Sequence, residues 1–308
     1  MPNNQIPVRR EYVNRKLAAY FLSLNPGDNI KSVRELASGC SASIGLISES
    51  ISHLEKIGVI KIERRGQLGS CLLEYSPGGL WNAAHGEPLV IAHTLPSTPR
   101  YEGLATALKQ IFNQNGVEVY FIFIRGSRTR LQALQEKRCH IALMSQFAAE
   151  GLCSRKEKNA LTLPAGSFVK SHQVFFRQDT LEDNQTNRVA VDPDSYDQFR
   201  LSSIEFKDEG VEFKKLSFLN IRRYLLENKV DIALWTEEDM KNWTGGAIQS
   251  RPLSLKTRRI IEQNDTRASL IVRKEDTATA RLIETTLEEK KIAEIQQSVI
   301  SGKIIPEY

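Results

Sequence analysis

Residues 41 to 70 of the chain read SASIGLISESISHLEKIGVIKIERRGQLGS. Ser43 can cap a helix N-terminus, and apolar residues recur after it at helical spacing up to Ile57. Gly58 suits the left-handed backbone that ends many helices. Residues 59–63 then alternate like a strand, and a tight basic turn at 64–69 leads to a return strand at 71–75. The stretch predicts a helix followed by a two-stranded wing.

Two further helices are predicted upstream of this stretch. Residues 8–24 carry apolar side chains at helical spacing and stop at Pro26. Ser32 and Glu35 have the spacing of a capping box, in which each side chain bonds the other residue's backbone amide. A short helix is therefore expected to begin there, with a turn at 39–42 before the third helix. This order of elements predicts a winged helix-turn-helix over residues 1–75.

The segment IKSVRELASGCSASIGLISESISHLEKIGVIKIERRGQLGS, residues 30–70, resembles the DNA-binding module of GntR-type bacterial regulators. RELA, LEKIGVI and RRGQ lie in register with that family. The resemblance implies binding to a double-stranded DNA operator through helix 2, the recognition helix and the wing. The residues predicted to lie at DNA are Ser32, Arg34, Ser43, Ile44, Gly45, Leu46, Ser48, Arg64, Arg65, Gly66 and Gln67.

The front of the predicted recognition helix departs from that family. Ile44-Gly45-Leu46 stands where Arg-Thr-Thr is usual, so an arginine cannot read guanine there. Contact with thymine methyl groups, close backbone approach at Gly45 and the hydroxyls of Ser43 and Ser48 remain. We expect modest affinity, with specificity dependent on dimerisation and the wing. A winged helix that has lost DNA binding and serves protein contacts is the alternative.

Composition is that of a folded protein with a mild basic excess. Of 308 residues, 41% are hydrophobic and 26% charged, and the formal net charge is +5. Residues 1–75 hold ten Lys or Arg and seven Asp or Glu, so much of the excess lies there. Four scattered cysteines predict reduced thiols. No apolar run reaches the ~18 residues of a membrane span, and we expect a cytoplasmic protein with no membrane partner.

Beyond residue 75 the pattern changes. The Pro-Gly-rich stretch 76–87 is predicted as a linker, and residues 88–308 as an effector domain. Strands alternate with helices there, which predicts a parallel sheet of the doubly wound kind. A second lobe is expected to open with a strand at 188–191, and a strand at 268–273 to return to the first lobe. One long helix is predicted over 277–299.

An internal repeat indicates two lobes. LQEKRCHIALMS at 134–145 aligns without gaps to LLENKVDIALWT at 225–236, each a helix end, a turn and a strand. Chance similarity of short helix–strand joints is the alternative. The order of elements resembles the type 2 periplasmic-binding-protein fold. With the winged helix, and with GEPLVIAHTLPSTPRYEGLATAL at 86–108, the whole chain resembles the YhfZ-type proteins, GntR-like regulators. The expected fold class is α/β, a winged helix-turn-helix followed by a two-lobed domain.

Residues at the carboxyl ends of the predicted strands are the candidate ligand site, because ligands bind there in open α/β sheets. Gly126 and Ser127 open a helix whose free amides suit a carboxylate or phosphate, and Arg128 or Arg130 can add a charge-assisted bond. Solvent-facing arginines and a purely capping Ser127 are the alternative. We expect a small anionic effector. The predicted ligand-binding residues are Thr94, Ser97, Thr98, Gly126, Ser127, Arg128, Ser145, Asp192, Ser195, Tyr196, Trp235 and Thr236.

Catalytic and metal-binding motifs are not recognisable in the sequence. GSRTR lacks the GKS or GKT of a phosphate loop, and HExxH and GxSxG do not occur. We therefore expect no enzyme, no cofactor and no metal. The hypothesis is a one-component, homodimeric transcriptional regulator whose effector domain binds a small molecule. The alternative is a binding protein or enzyme of the same fold, with a degenerate winged helix used for oligomerisation.

Overall fold

The computed structural model describes residues 5–178, 187–240 and 248–308, without the side chains of 5–9 and 239–240. Contacts divide the chain into two compact units. The first comprises Met1–Leu89, Leu108–Tyr120 and Glu275–Leu287, and the second comprises Val90–Ala107, Phe121–Lys274 and Glu288–Tyr308. None of the helices in these described ranges has the length and apolar character needed to cross a membrane.

The amino-terminal module has the order of elements that the sequence predicts. Its strands form a three-stranded sheet in the order β1-β3-β2, with both pairings antiparallel. The capping box of Ser32 and Glu35 is formed, and Ser43 caps the third helix. Its elements are α1 (Gln5–Leu22), β1 (Asn29–Ile30), α2 (Val33–Cys40), α3 (Ile44–Lys56), β2 (Ile60–Arg64) and β3 (Ser70–Tyr75).

The segment predicted as a linker is instead a helix, α4 (Pro77–His85). Ser76 caps it and proline occupies its first turn, where a missing N–H costs nothing. Leu80 and Trp81 are fully buried, and α4 packs against α1. The linker was predicted because Pro77 and Gly78 are typical of loops. The two apolar residues that follow, Leu80 and Trp81, are instead buried in a core by forming a helix. The domain limits 1–75 and 88–308 stay a prediction.

Beyond α4 the chain forms two five-stranded sheets, one in each lobe. The first lobe has the order β5-β4-β6-β13-β7, and the second has β10-β9-β11-β8-β12. The elements beyond α4 are β4 (Leu89–His93), α5 (Pro99–Gln114), β5 (Val119–Phe123), α6 (Ser127–Gln135), β6 (Ile141–Ser145), α7 (Gln146–Leu152), β7 (Glu157–Thr162), β8 (His172–Arg177), β9 (Arg188–Val191), α8 (Tyr196–Glu205), β10 (Glu212–Lys215), α9 (Ile221–Leu226), β11 (Ile232–Thr236), α10 (Glu237–Met240), β12 (Ile248–Pro252), α11 (Leu255–Ile261), β13 (Ala268–Arg273), α12 (Thr277–Thr286) and α13 (Glu289–Ile300).

Both sheets are mixed, which corrects the expectation of parallel sheets. β4 pairs parallel with β6, and β9 with both neighbours. β13 runs antiparallel to β6 and β7, and β8 to β11 and β12. The predicted return of β13 to the first lobe is confirmed, and each antiparallel strand adjoins a chain crossing between lobes. The second sheet already begins at β8, before residue 188. The predicted final helix is two helices, broken at the extended backbone of Leu287.

The two copies of the internal repeat have the same local backbone structure. In each copy a helix ends in a left-handed residue, Lys137 (φ 59°) and Asn228 (φ 56°), before the strand begins. Three residues further on, one copy has His140 and the other has Asp231. The His140 ring accepts a hydrogen bond from the backbone of Val90, and the Asp231 carboxylate accepts one from the backbone of Arg188. Equivalent turns therefore fix equivalent strands.

Candidate DNA-binding surface and ligand cleft

The front of α3 is exposed, as the sequence predicts for a recognition helix. Ile44 is 52% exposed, and Gly45 and Ser48 are also on the surface, whereas Leu46 is half-buried. The Ser43 hydroxyl accepts a hydrogen bond from the amide of Leu46 at 3.3 Å, so it is engaged in capping. An exposed isoleucine at the start of a helix offers a methyl-bearing surface that can contact a thymine methyl group.

The basic residues of the module differ in whether an acidic side chain pairs with them. Arg34 is exposed and has no partner among the described residues. Arg64 and Arg65 are ion-paired with Glu55 and Glu63, each with a nitrogen–oxygen distance of 2.5 Å. These hydrogen bonds raise the pKa of both guanidinium groups. Exposed ion pairs are worth little, so a phosphate can replace either glutamate at small cost.

The turn of the wing depends on two glycines. Gly66 and Gly69 have φ of 59° and 84°, a left-handed backbone that residues with a Cβ rarely adopt. Gln67 lies exposed between them. Ser32, by contrast, is occupied: its hydroxyl and amide both contact the Glu35 carboxylate. The DNA roles of these residues stay predictions.

Seven of the twelve predicted ligand residues line one cavity of about 100 Å³ in the second unit. This ligand cleft receives residues from the carboxyl ends of strands in both lobes, as the strand-end rule predicts. The seven residues are Thr94, Ser97, Gly126, Ser127, Ser195, Trp235 and Thr236.

The other five predicted residues lie outside this lining. Thr98, Ser145 and Asp192 are buried and bond neighbouring groups of the protein. Tyr196 donates its backbone N–H to the Ser127 hydroxyl at 3.2 Å. Arg128 is exposed, its guanidinium 5.5 Å from the centre of the Tyr196 ring. Of the two arginines that the sequence offered, it is therefore Arg130 that lines the cleft.

Arg130 is almost fully buried, with 4% of its surface exposed. Its Nε donates to the carbonyl of Leu143 at 2.6 Å, and its Nη1 to that of Ile124 at 2.8 Å. These carbonyls lie in the middle of β6 and just past the end of β5, so the guanidinium is held rigidly. Nη2 has no hydrogen-bond partner among the described residues. Burial lowers the pKa of Arg130 to about 10, which leaves it charged at neutral pH.

Asp197 lies in the first turn of α8 and lines the cleft from the second lobe. Its carboxylate accepts a hydrogen bond from the Ser145 hydroxyl at 2.7 Å, which joins the lobes. Burial raises the pKa of Asp197 to about 6, opposed by His172 and by the Ser145 hydrogen bond. The cleft thus combines a rigid cation with a carboxyl group that takes up a proton near neutral pH.

Arg125 holds the two lobes together at the end of β5. Its guanidinium pairs with Asp192 and Asp194, both at 2.6 Å, and also donates to the hydroxyl of Ser217 at 2.9 Å. The backbone of Gly126 lies so close to the second lobe that a Cβ there would be 2.5 Å from the Asp194 carbonyl oxygen. The lobes therefore meet closely beside the cleft.

The sequence reading missed Arg125, Asp197 and His172. Arg125 directly follows a predicted strand, so the strand-end rule could have included it. Asp197 lies one residue past the predicted Tyr196. No local signal marks His172, because it reaches the cleft only through the chain crossing between lobes.

Comparisons with known proteins agree with this architecture. Residues 78–308 match the YhfZ C-terminal domain model, and residues 25–72 match a helix-turn-helix domain model. The chain is 30% identical to YhfZ of Escherichia coli (strain K12) over 308 residues, covering 98% of this chain and all of that protein.

Solved structures share this fold over most of the chain. The crystal structure of YhfZ from Shigella flexneri matches with a TM-score of 0.62 and 27% identity, over 75% of this chain and 98% of that one. The periplasmic aliphatic sulphonate binding protein SsuA from Escherichia coli matches with a TM-score of 0.52 and 13% identity, over 70% of this chain and 75% of that one, a likeness of fold. The chain belongs to the YhfZ family, with an N-terminal helix-turn-helix domain and a C-terminal YhfZ domain of periplasmic-binding-protein-like fold.

Proposed function

We propose that the chain is a one-component transcriptional regulator that binds an operator through residues 1–75 and a small anionic effector through residues 88–308. The observation that carries the proposal is the union, in one chain, of a helix-turn-helix domain and a two-lobed domain of a ligand-binding fold. The protein acts in the cytoplasm, as a homodimer that places two recognition helices in successive major grooves.

The proposed effector is small and carries a negative charge. Arg130 offers an N–H group into a cavity of about 100 Å³, and α6 begins there at Gly126–Ser127. A rigid, buried guanidinium binds carboxylate or phosphate at little entropic cost. Closure of the lobes on this effector changes the spacing of the paired winged helices, if the effector binds the two arrangements with different affinity.

The first experiment measures DNA binding by fluorescence anisotropy. The labelled duplexes are the protein's own upstream DNA and a scrambled version, each titrated over a salt series. A regulator binds the native duplex more tightly and loses affinity steeply with salt, because phosphate contacts release counterions. Equal, weak binding to both duplexes would instead favour the alternative, a small-molecule-binding protein or enzyme whose winged helix serves oligomerisation.

The second experiment tests the effector without DNA. Trp235 lines the cleft, so its fluorescence reports occupation when inorganic phosphate, sulfate, acetate or pyruvate is added. Arg130→Met should abolish the response, and Arg128→Met should keep it, since Arg128 faces away from the cleft. A Trp235→Phe variant shows which part of the signal comes from this residue. A response equal in the Arg130 and Arg128 variants would refute an anion site at Arg130.

A further inference from the structure

A second and larger cavity lies in the second unit, beside the ligand cleft. Its volume is about 650 Å³, and two segments of chain form its walls. Residues 163–171 lead from β7 to β8, and residues 253–267 lead back from β12 to β13. These are the two described connections between the lobes, so we call this space the hinge cavity. It is lined by Ala165, Gly166, Lys170, Ser171, His172, Gln173, Pro252, Leu253, Leu255, Arg258, Arg259, Ile261, Gln263, Asp265 and Thr266.

Hydrogen bonds beside the cavity join the first connection to the second and to the start of β13. The Phe168 amide donates to the Thr266 carbonyl at 2.9 Å, and the Ala268 amide donates to the Ser167 hydroxyl at 2.9 Å. The ring of His172 joins the carboxylate of Asp265 at 2.6 Å. His172 lines both the hinge cavity and the ligand cleft. A molecule in the hinge cavity would therefore contact the elements that must rearrange when the lobes move.

The lining combines cationic and apolar side chains. Arg258 and Arg259 are exposed on α11, and their side chains form no ion pair or hydrogen bond with another described residue. Leu253 and Ile261 are buried and apolar. Exposed cationic groups and an apolar wall therefore meet in one cavity, and a largely apolar lining with a few charged groups is typical of sites for small molecules.

We propose that the hinge cavity is a second binding site, for an organic anion with an apolar body. The anionic group lies against Arg258 and Arg259, and the apolar body against Leu253 and Ile261. A medium-chain carboxylate has this chemistry. The cavity shares His172 with the ligand cleft, and it lies where occupation restrains the movement of the lobes.

Isothermal titration calorimetry of the full chain tests the site with two probes, octanoate and octylammonium. Octylammonium, of opposite charge, should bind at least tenfold more weakly than octanoate. Equal affinity for octanoate and octylammonium, or tighter binding of the amine, would overturn the proposal.

Two variants locate the binding. Arg258→Ala/Arg259→Ala should weaken octanoate at least fivefold, and Lys256→Ala should not, because that lysine lies on the same helix but pairs with Asp208 outside the lining. Ala165→Trp fills the cavity from an exposed position and should abolish binding without affecting the fold. Unchanged affinity in the double variant and in Ala165→Trp would place octanoate elsewhere and refute the hinge site.

Discussion

Arginines in the wing and arginines in the ligand cleft occupy opposite environments. Arg64 and Arg65 are exposed, and each pairs with a glutamate of the same small module. Arg130 is buried, and it bonds the carbonyls of two strands instead of a carboxylate. The wing arginines can exchange partners and so can follow a nucleic-acid backbone. Arg130 cannot move, which makes it both a structural element and a fixed electrostatic site.

The largest expected effect is that of Arg130→Met on stability. The carbonyls of Leu143 and Ile124 would lose their donor in a buried place, which costs about 2–4 kcal/mol of unfolding free energy. Urea unfolding followed by circular dichroism measures it. Arg128→Met, two residues away and exposed, should stay within about 0.5 kcal/mol of the wild type. Two variants of equal stability would show that Arg130 is as dispensable as a wing arginine.

Asp197→Asn should stabilise the protein at pH 8. The folded-state pKa of about 6 exceeds that of an unfolded aspartate, so ionisation of Asp197 opposes folding, increasingly between about pH 4 and pH 6 and fully above that. The gain is about 3 kcal/mol at pH 8 and disappears as pH falls below 4, where both states are protonated. Unfolding at a series of pH values measures it. Asp208→Asn, an exposed site whose pKa Lys256 lowers, should give no gain. A gain independent of pH would exclude the proposed protonation.

On DNA, Arg64→Ala/Arg65→Ala should weaken binding to every duplex about tenfold. If each arginine neutralises one phosphate, the slope of log affinity against log salt falls by about 2. Arg222→Ala/Arg223→Ala removes the same charge from exposed positions of the second unit and serves as the control. An equal loss in both double variants would mean that net charge, and not the wing, governs affinity.

The smallest effect concerns the apolar front of α3. Replacing thymine by uracil in the native duplex removes the methyl groups, and wild-type affinity should fall about threefold, roughly 0.65 kcal/mol. Ile44→Ala should bind both duplexes alike, with little change in stability because Ile44 is half exposed. Anisotropy titrations of the four combinations measure the coupling. A threefold preference retained by Ile44→Ala would assign the methyl contact to another residue.

The sequence predicts the amino-terminal module well because its signals are local. Ser32, Ser43 and Gly58 each act on backbone within three or four residues, and all three have the predicted role. The cleft was predicted in outline from strand ends. His172 and Asp197 could not be found in this way, because chain crossings and helix packing bring them to the cleft. Helix α4 was not predicted because the burial of Trp81 depends on packing partners distant in the sequence, which no local pattern shows.

The bridge from Arg125 to Asp192 and Asp194 has a consequence for the rate of ligand capture. With the lobes so close, an effector reaches Arg130 after this bridge has opened, so the observed association rate should level off at high effector concentration. Stopped-flow traces of Trp235 fluorescence would then report the opening frequency. The same bridge would slow escape, giving a residence time longer than so small a ligand would otherwise have.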